Sequence, residues 1–206
     1  MNRADVSINA AVRFELPWFV CLAAGWGAPE QLAQAVDQRL AVDPELAPWA
    51  DLLRTQVSSV AEDFRREGAL VGALRFQHDP VFGLVTAYCS ATLVSLDAPL
   101  DGAAMLEQLR EDLTASRPAD ASLPEIGEVV LGGRPSLRVA VTRLAPEVEP
   151  GEGRSAFIVL EHWTPVAEVP GQVVRLAAMS SRLAFAGELT TEFDAIAATL
   201  DITVEA

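Results

Sequence analysis

The chain contains no lysine, so all fifteen basic residues are arginine; 29 aspartates and glutamates outweigh them and set the formal net charge at -14. That balance repels phosphate backbones and anionic lipid. The densest basic spot, Arg65-Arg66, is flanked by Glu62, Asp63 and Glu67. Nucleic-acid recognition needs a local basic patch that releases counterions, so nucleic acid is excluded as a partner. The two cysteines, Cys21 and Cys89, are too few for a disulfide framework. Each sits in an apolar run and is expected to be a buried free thiol, which points to a reducing compartment. No apolar run approaches the ~18 to 20 residues that span a bilayer. The most apolar segment, residues 16–28, follows Asp5 and Glu15 and places bulky Phe19-Val20 before Cys21. A secretory leader would instead have a short positive start and small residues at the cut. The expectation is a cytoplasmic protein with no membrane partner. Lysine-free, alanine- and arginine-rich usage is also associated with GC-rich bacterial genomes, a compositional association that bears on source only.

Catalytic signatures are missing as well. No Gly-x-Ser-x-Gly elbow occurs, and Leu131-Gly132-Gly133-Arg134 leads into a strand where a phosphate cradle would lead into a helix. No catalytic residue, metal ligand or cofactor is assigned.

What remains is ample apolar material: of 206 residues, 50% are hydrophobic and 21% charged. A chain of this length buries about 70% of its unfolded surface. One domain over residues 1–206 is expected, with a weak division at the polar linker near residues 117–124. Ile8 to Leu16 and Trp18 to Trp26 read as one or two opening strands. Pro29 suits the first turn of a helix in which Leu32, Ala35, Val36 and Leu40 recur up to Asp43-Pro44. A second helix follows Pro48, with Trp49, Leu52, Leu53, Val57, Val60 and Phe64 on one face, and stops at Gly68 after two arginines. Residues 69–77 and 81–96 read as a hairpin joined at His78-Asp79-Pro80, and residues 101–116 as a third amphipathic helix.

From Glu125 onward, four runs rich in Val, Leu, Ile and Phe are punctuated by Gly132-Gly133, by the acidic loop Pro146 to Gly153 and by Pro170-Gly171, the pattern of an antiparallel meander. A last helix follows, with Leu189, Phe193, Ile196, Ala197 and Leu200 as its apolar stripe. Its Glu188, Glu192 and Asp194 occupy the first turns, where the macrodipole favours carboxylates. The fold class is therefore α+β: an antiparallel sheet of six or seven strands with helices packed on its faces. Strand order stays open.

Among residues able to carry chemistry, His78 and His162 each stand beside an acid, in His78-Asp79 and Glu161-His162. Adjacent strand residues point to opposite faces, so neither pair converges on a metal, and both histidines read as solvated strand-end or loop residues. Ser180-Ser181 lies in a strand, one hydroxyl facing in and one facing water. Trp18, Trp26, Trp49 and Trp163 read mainly as core aromatics.

The block Val173 to Ser181, followed by Phe185 and then Glu192-Phe193-Asp194-Ala195-Ile196-Ala197, resembles the end of the PsbP-like superfamily, over residues 125 to 202. The resemblance implies an αβα layered sheet and an accessory or binding role, and carries over no catalytic residue. The expected function is thus a non-enzymatic adaptor, effector chaperone or immunity-like protein. It would bind another protein through the sheet face, an edge strand or the acidic loop. The alternative is an enzyme or small-molecule binder whose pocket between sheet and helices uses Arg138, Arg175 or His162 to hold an anionic ligand. A structural subunit of a larger assembly is the third option, and oligomerisation is left open.

Overall fold

A computed structural model describes residues 6–14, 18–21, 29–81, 83–96, 102–115, 121–144 and 156–205. The elements run β1 Ser7–Ala11, β2 Trp18–Cys21, α1 Pro29–Val42, a 3-10 segment Pro44–Trp49, α2 Ala50–Arg66, β3 Ala69–Asp79 and β4 Gly83–Ser95. Then come α3 Gly102–Ala115, β5 Glu125–Leu131, β6 Arg134–Leu144, β7 Ala156–Pro165, β8 Gln172–Ser180, α4 Ala186–Ala197 and β9 Asp201–Glu205. The expected α+β class holds. Seven strands form one antiparallel sheet in the order β2-β3-β4-β8-β7-β6-β5. The β5 to β8 meander is intact, and the β3–β4 hairpin joins it along β8.

Alternation along the strands gives the sheet two buried faces. On one, Ala73, Ala87, Ala91 and Ala178 form a low floor, with Cys89, Leu160, Val174 and Leu176 between them. Those small side chains let α4 approach closely and seat Leu189, Phe193, Ile196 and Ala197. Fully burying each of the larger α4 side chains contributes about 1.5–3 kcal/mol. On the other face, Leu74 and Phe76 meet Val36 of α1 and Leu53 and Val57 of α2. Further along it, Leu137 and Val173 meet Met105 and Leu109 of α3.

Three elements depart from the sequence reading. The first opening run belongs to a separate two-stranded ribbon, β1 with β9, and residues 15–17 lie outside the described part. Of the second, Trp18–Cys21 is the sheet's edge strand and the rest lies outside the described residues. Leu200 is not on α4, which ends at Ala197; the chain turns, Leu200 still plugs the core, and β9 follows. The ribbon lays Ile8, Ala10 and Val204 on the same core as α4. Trp49 closes the 3-10 segment ahead of α2 and packs beside His78, whose strand runs on to Asp79.

The linker near residues 117–124 is described from Ala121, which bridges to Arg143 of β6, while Ser122 N donates to Thr142 O at 2.8 Å. The acidic loop Pro146 to Gly153 lies outside the described residues, as does the side chain of Cys21.

Candidate functional site

Strand alternation decides where the charged candidates go. Arg75, Arg138 and His162 fall on the α4 face, whereas Glu161, Trp163 and Arg175 fall on the α3 face. The two arginines and the histidine of the pocket hypothesis therefore do not converge, because Arg175 is separated from the other two by the sheet itself.

On the α4 face the helix acids do more than complement a dipole. Arg75 is 1% exposed. Its Nη2 donates to Glu188 Oε1 at 2.5 Å and to Glu192 Oε1 at 3.0 Å, and its Nε lies 2.9 Å from Glu192 Oε2. Glu192 Oε2 also accepts from the indole Nε1 of Trp18 at 3.0 Å. Two residues further, Asp194 takes Arg138 Nε on both oxygens, at 2.9 and 3.1 Å, and accepts from His162 Nε2 at 3.0 Å. A carboxylate only accepts, so the proton of neutral His162 sits on Nε2. Nδ1 faces the interior with no partner among the described residues. His162 is 2% exposed, which overturns its reading as a solvated residue. Burial pushes its pKa below the ordinary value; Asp194 opposes that shift and Arg138 reinforces it. These groups tie α4 to four strands, β2, β3, β6 and β7.

The α3 face holds a smaller cluster. Glu161 accepts from Arg175 Nη2 at 2.5 Å and from Trp163 Nε1 at 2.9 Å, and the guanidinium carbon of Arg175 lies 5.4 Å from the Trp163 ring centre. Elsewhere, Cys89 is a buried free thiol as expected, and burial raises its pKa, so it is no nucleophile at neutral pH. Ser180 is buried and donates to Thr86 O at 2.8 Å, and Ser181 is exposed, as expected, although β8 ends at Ser180 and Ser181 lies in the bend beyond it. Among the described residues no three His, Cys, Asp or Glu side chains group as metal ligands. No described helix is long and apolar enough to cross a membrane.

The open feature is the edge strand β5. Its hairpin with β6 turns through Gly132 and Gly133, both at positive φ (54° and 77°), a two-residue type I′ turn that closes on the pair Leu131 and Arg134. In such a hairpin the closing pair exchanges both backbone bonds, and pairs alternate from there. The N–H and C=O groups of Ile126, Glu128 and Val130 consequently point away from β6. No described strand lies on that side. Val130 is 70% exposed, as is Leu123 just before the strand.

Two small clefts flank this edge. One of about 190 Å³ includes Ser122, Leu123, Glu125, Arg138 and Thr190 in its lining. The other, about 170 Å³, is lined by Leu106, Glu128, Val129, Val130, Pro135 and Ser136. The sequence offered no direct signal for the edge, because strand order is a tertiary fact. The exposed Val130, in Glu128-Val129-Val130, was its trace.

Fold and site together define an α+β protein with helices on both faces of an antiparallel sheet, with β5 as an exposed edge. No protein-family description matches the chain, and no curated protein matches it. Among solved structures it is similar to the solution structure of cyanobacterial PsbP (CyanoP) from Synechocystis sp. PCC 6803. The identity is 9%, coverage is 64% of this chain and 86% of that one, and the TM-score is 0.36. That is a weak structural relationship.

Proposed function

We propose that this chain is a non-enzymatic accessory protein that binds another protein, and that it does so by lending the outer edge of β5 to a partner strand. The observation that carries the reading is the open row of backbone groups at Ile126, Glu128 and Val130, flanked by two clefts. In strand addition the backbone bonds supply affinity and flanking pockets for side chains supply selectivity. Natural sheets usually blunt an edge with charge, proline or a covering element. Here Pro124 precedes the strand and Arg110 of α3 engages the carboxylate of Glu128, while Val130 stays exposed. Of the charged groups that an enzyme reading would recruit, Arg138 and His162 are bound to Asp194 of α4, and Arg175 is bound to Glu161 on the opposite face of the sheet. The free thiol of Cys89 supports placement in the cytoplasm.

The test is a photo-crosslinking amino acid at Leu123, in cells that make the protein. A discrete protein adduct is expected from this position and not from Val81, which is 79% exposed at the β3–β4 turn. Adding Val130→Pro removes an outward N–H without touching the β6 ladder, and should abolish the adduct. An undiminished adduct in that variant would overturn the proposal.

A further inference from the structure

Resting on the reading of β5 as a docking edge, we infer that its occupant is an extended, basic segment of a different protein, in which cationic side chains alternate with apolar ones. Three observations favour this occupant.

The first is charge. β5 and its neighbour α3 carry five carboxylates, Glu125, Glu128, Glu107, Glu111 and Asp112, all exposed, and one guanidinium, Arg110, already engaged by Glu128. The nearest arginines on β6 are also committed. Arg134 forks onto Glu168 with two bonds of 2.8 Å, and Arg138 holds Asp194. An incoming cation meets carboxylates, and the described guanidiniums nearest Glu125 and Glu128 are already paired; Arg143, without a bond at its Nε, lies further along β6 opposite Ala121. An acidic segment meets repulsion, which at an interface rim changes mainly the association rate and its salt dependence.

The second is shape. The smaller cleft is walled by Leu106, Val129, Val130 and Pro135, and has room for one aliphatic side chain. The larger one has Glu125 in its lining together with the hydroxyl oxygens of Ser122, Thr142 and Thr190, which can accept from an ammonium or guanidinium, and with Arg138, whose charge is already paired with Asp194. The clefts lie towards opposite ends of β5. They also open on opposite faces of the sheet, so a strand laid along the edge would reach both, because successive side chains point to alternate faces at about 3.3 Å per residue.

The third excludes a second copy of this chain. Antiparallel self-pairing through β5 would bring together two molecules each of net charge -14, and the register centred on Glu128 would set that carboxylate against its own copy. Like charges directly opposed on a sheet are destabilising.

Labelled nine-residue peptides provide the test: one alternating lysine with valine and threonine, its glutamate counterpart, and the lysine peptide with a central proline. Fluorescence anisotropy with the full chain at low and moderate salt is the readout. The expected result is that the lysine peptide binds, that moderate salt weakens it, and that Val130→Pro, Val130→Lys and the proline-interrupted peptide each reduce affinity at least tenfold. Binding that survives both Val130 variants would be diffuse charge attraction and would overturn the inference. Equal binding of the glutamate peptide would overturn the charge argument while leaving the docking edge in place. So would an absence of peptide binding alongside an intact crosslink from Leu123. Self-association on sizing chromatography that Val130→Lys abolishes would make a second copy the occupant and overturn the choice of partner.

Discussion

Arg75 of β3 and Glu192 of α4 meet twice, Nε to Oε2 at 2.9 Å and Nη2 to Oε1 at 3.0 Å, with the guanidinium almost wholly out of water and the carboxylate 27% exposed. That asymmetry predicts unequal mutants. Arg75→Met removes the buried charge and leaves Glu188 and Glu192 to rehydrate, so its cost should stay within about 2 kcal/mol, since apolar replacement of a buried ion is often tolerated. The double variant Glu188→Gln with Glu192→Gln leaves the guanidinium buried without a counter-charge, and should cost about 3–5 kcal/mol. Urea denaturation of the two proteins checks the order; a costlier Arg75→Met would mean that the tie acts through packing.

His162 predicts a pH dependence whose sign follows from burial. Its folded pKa lies below the ordinary 6.5, so the unfolded chain takes up the proton first as pH falls. Its contribution to stability is fully present above about 6.5 and is lost as pH drops from there towards the folded value. His162→Gln should flatten the stability profile in that window whatever it does to the plateau. Asp194→Asn, which removes the carboxylate that favours the imidazolium, should carry the folded pKa lower still and steepen the loss. Chemical denaturation at stepped pH provides the measurement.

The layered architecture was legible because it is local. Alternation marked β3 to β8, helical spacing marked Leu53, Val57 and Phe64, and Gly132-Gly133 announced its own turn. The ribbon was not, because β1 and β9 are five residues each and pair Ser7 with Glu205 across the whole chain length. Nothing in either strand names the other. The ties of α4 were half visible: Glu188, Glu192 and Asp194 stood out as helix acids, but dipole complementation accounts for them without any partner. Arg75 sits in an apolar run, Ala73-Leu74-Arg75-Phe76, where an unpaired charge would be costly. That placement implies a buried counter-charge, although only the sheet order says which helix supplies it.

Gly132 and Gly133 both need positive φ, yet they should not be equally sensitive. A Cβ on Gly132 would stand 2.6 Å from the backbone oxygen of Leu200, while one on Gly133 meets nothing within 4 Å. Gly133→Ala should therefore cost only the left-handed strain, about 1–2 kcal/mol. Gly132→Ala must in addition displace the segment that links α4 to β9, and should cost more than that strain alone. Thermal unfolding of the two alanine variants compares them directly. Equal melting temperatures would mean that the Leu200 turn yields freely, and that the hairpin does not brace the ribbon.

The parity of β5 gives the most selective prediction. The Val129 N–H points into the β6 ladder, opposite Ser136, and the Val130 N–H points out of the sheet, one residue along. Proline at position 129 removes a ladder bond and should destabilise by about 3 kcal/mol. At position 130 it removes only an outward donor, in a strand where the edge tolerates proline, and the cost should stay below about 1 kcal/mol. Comparable losses in both variants would show that the Val130 N–H is also engaged, and that the outer edge of β5 is not free. If Val129→Pro proves the milder of the two, the row of free backbone groups belongs to Gly127, Val129 and Leu131 instead. The docking strand would then be offset by one position, with its side chains exchanged between the two faces.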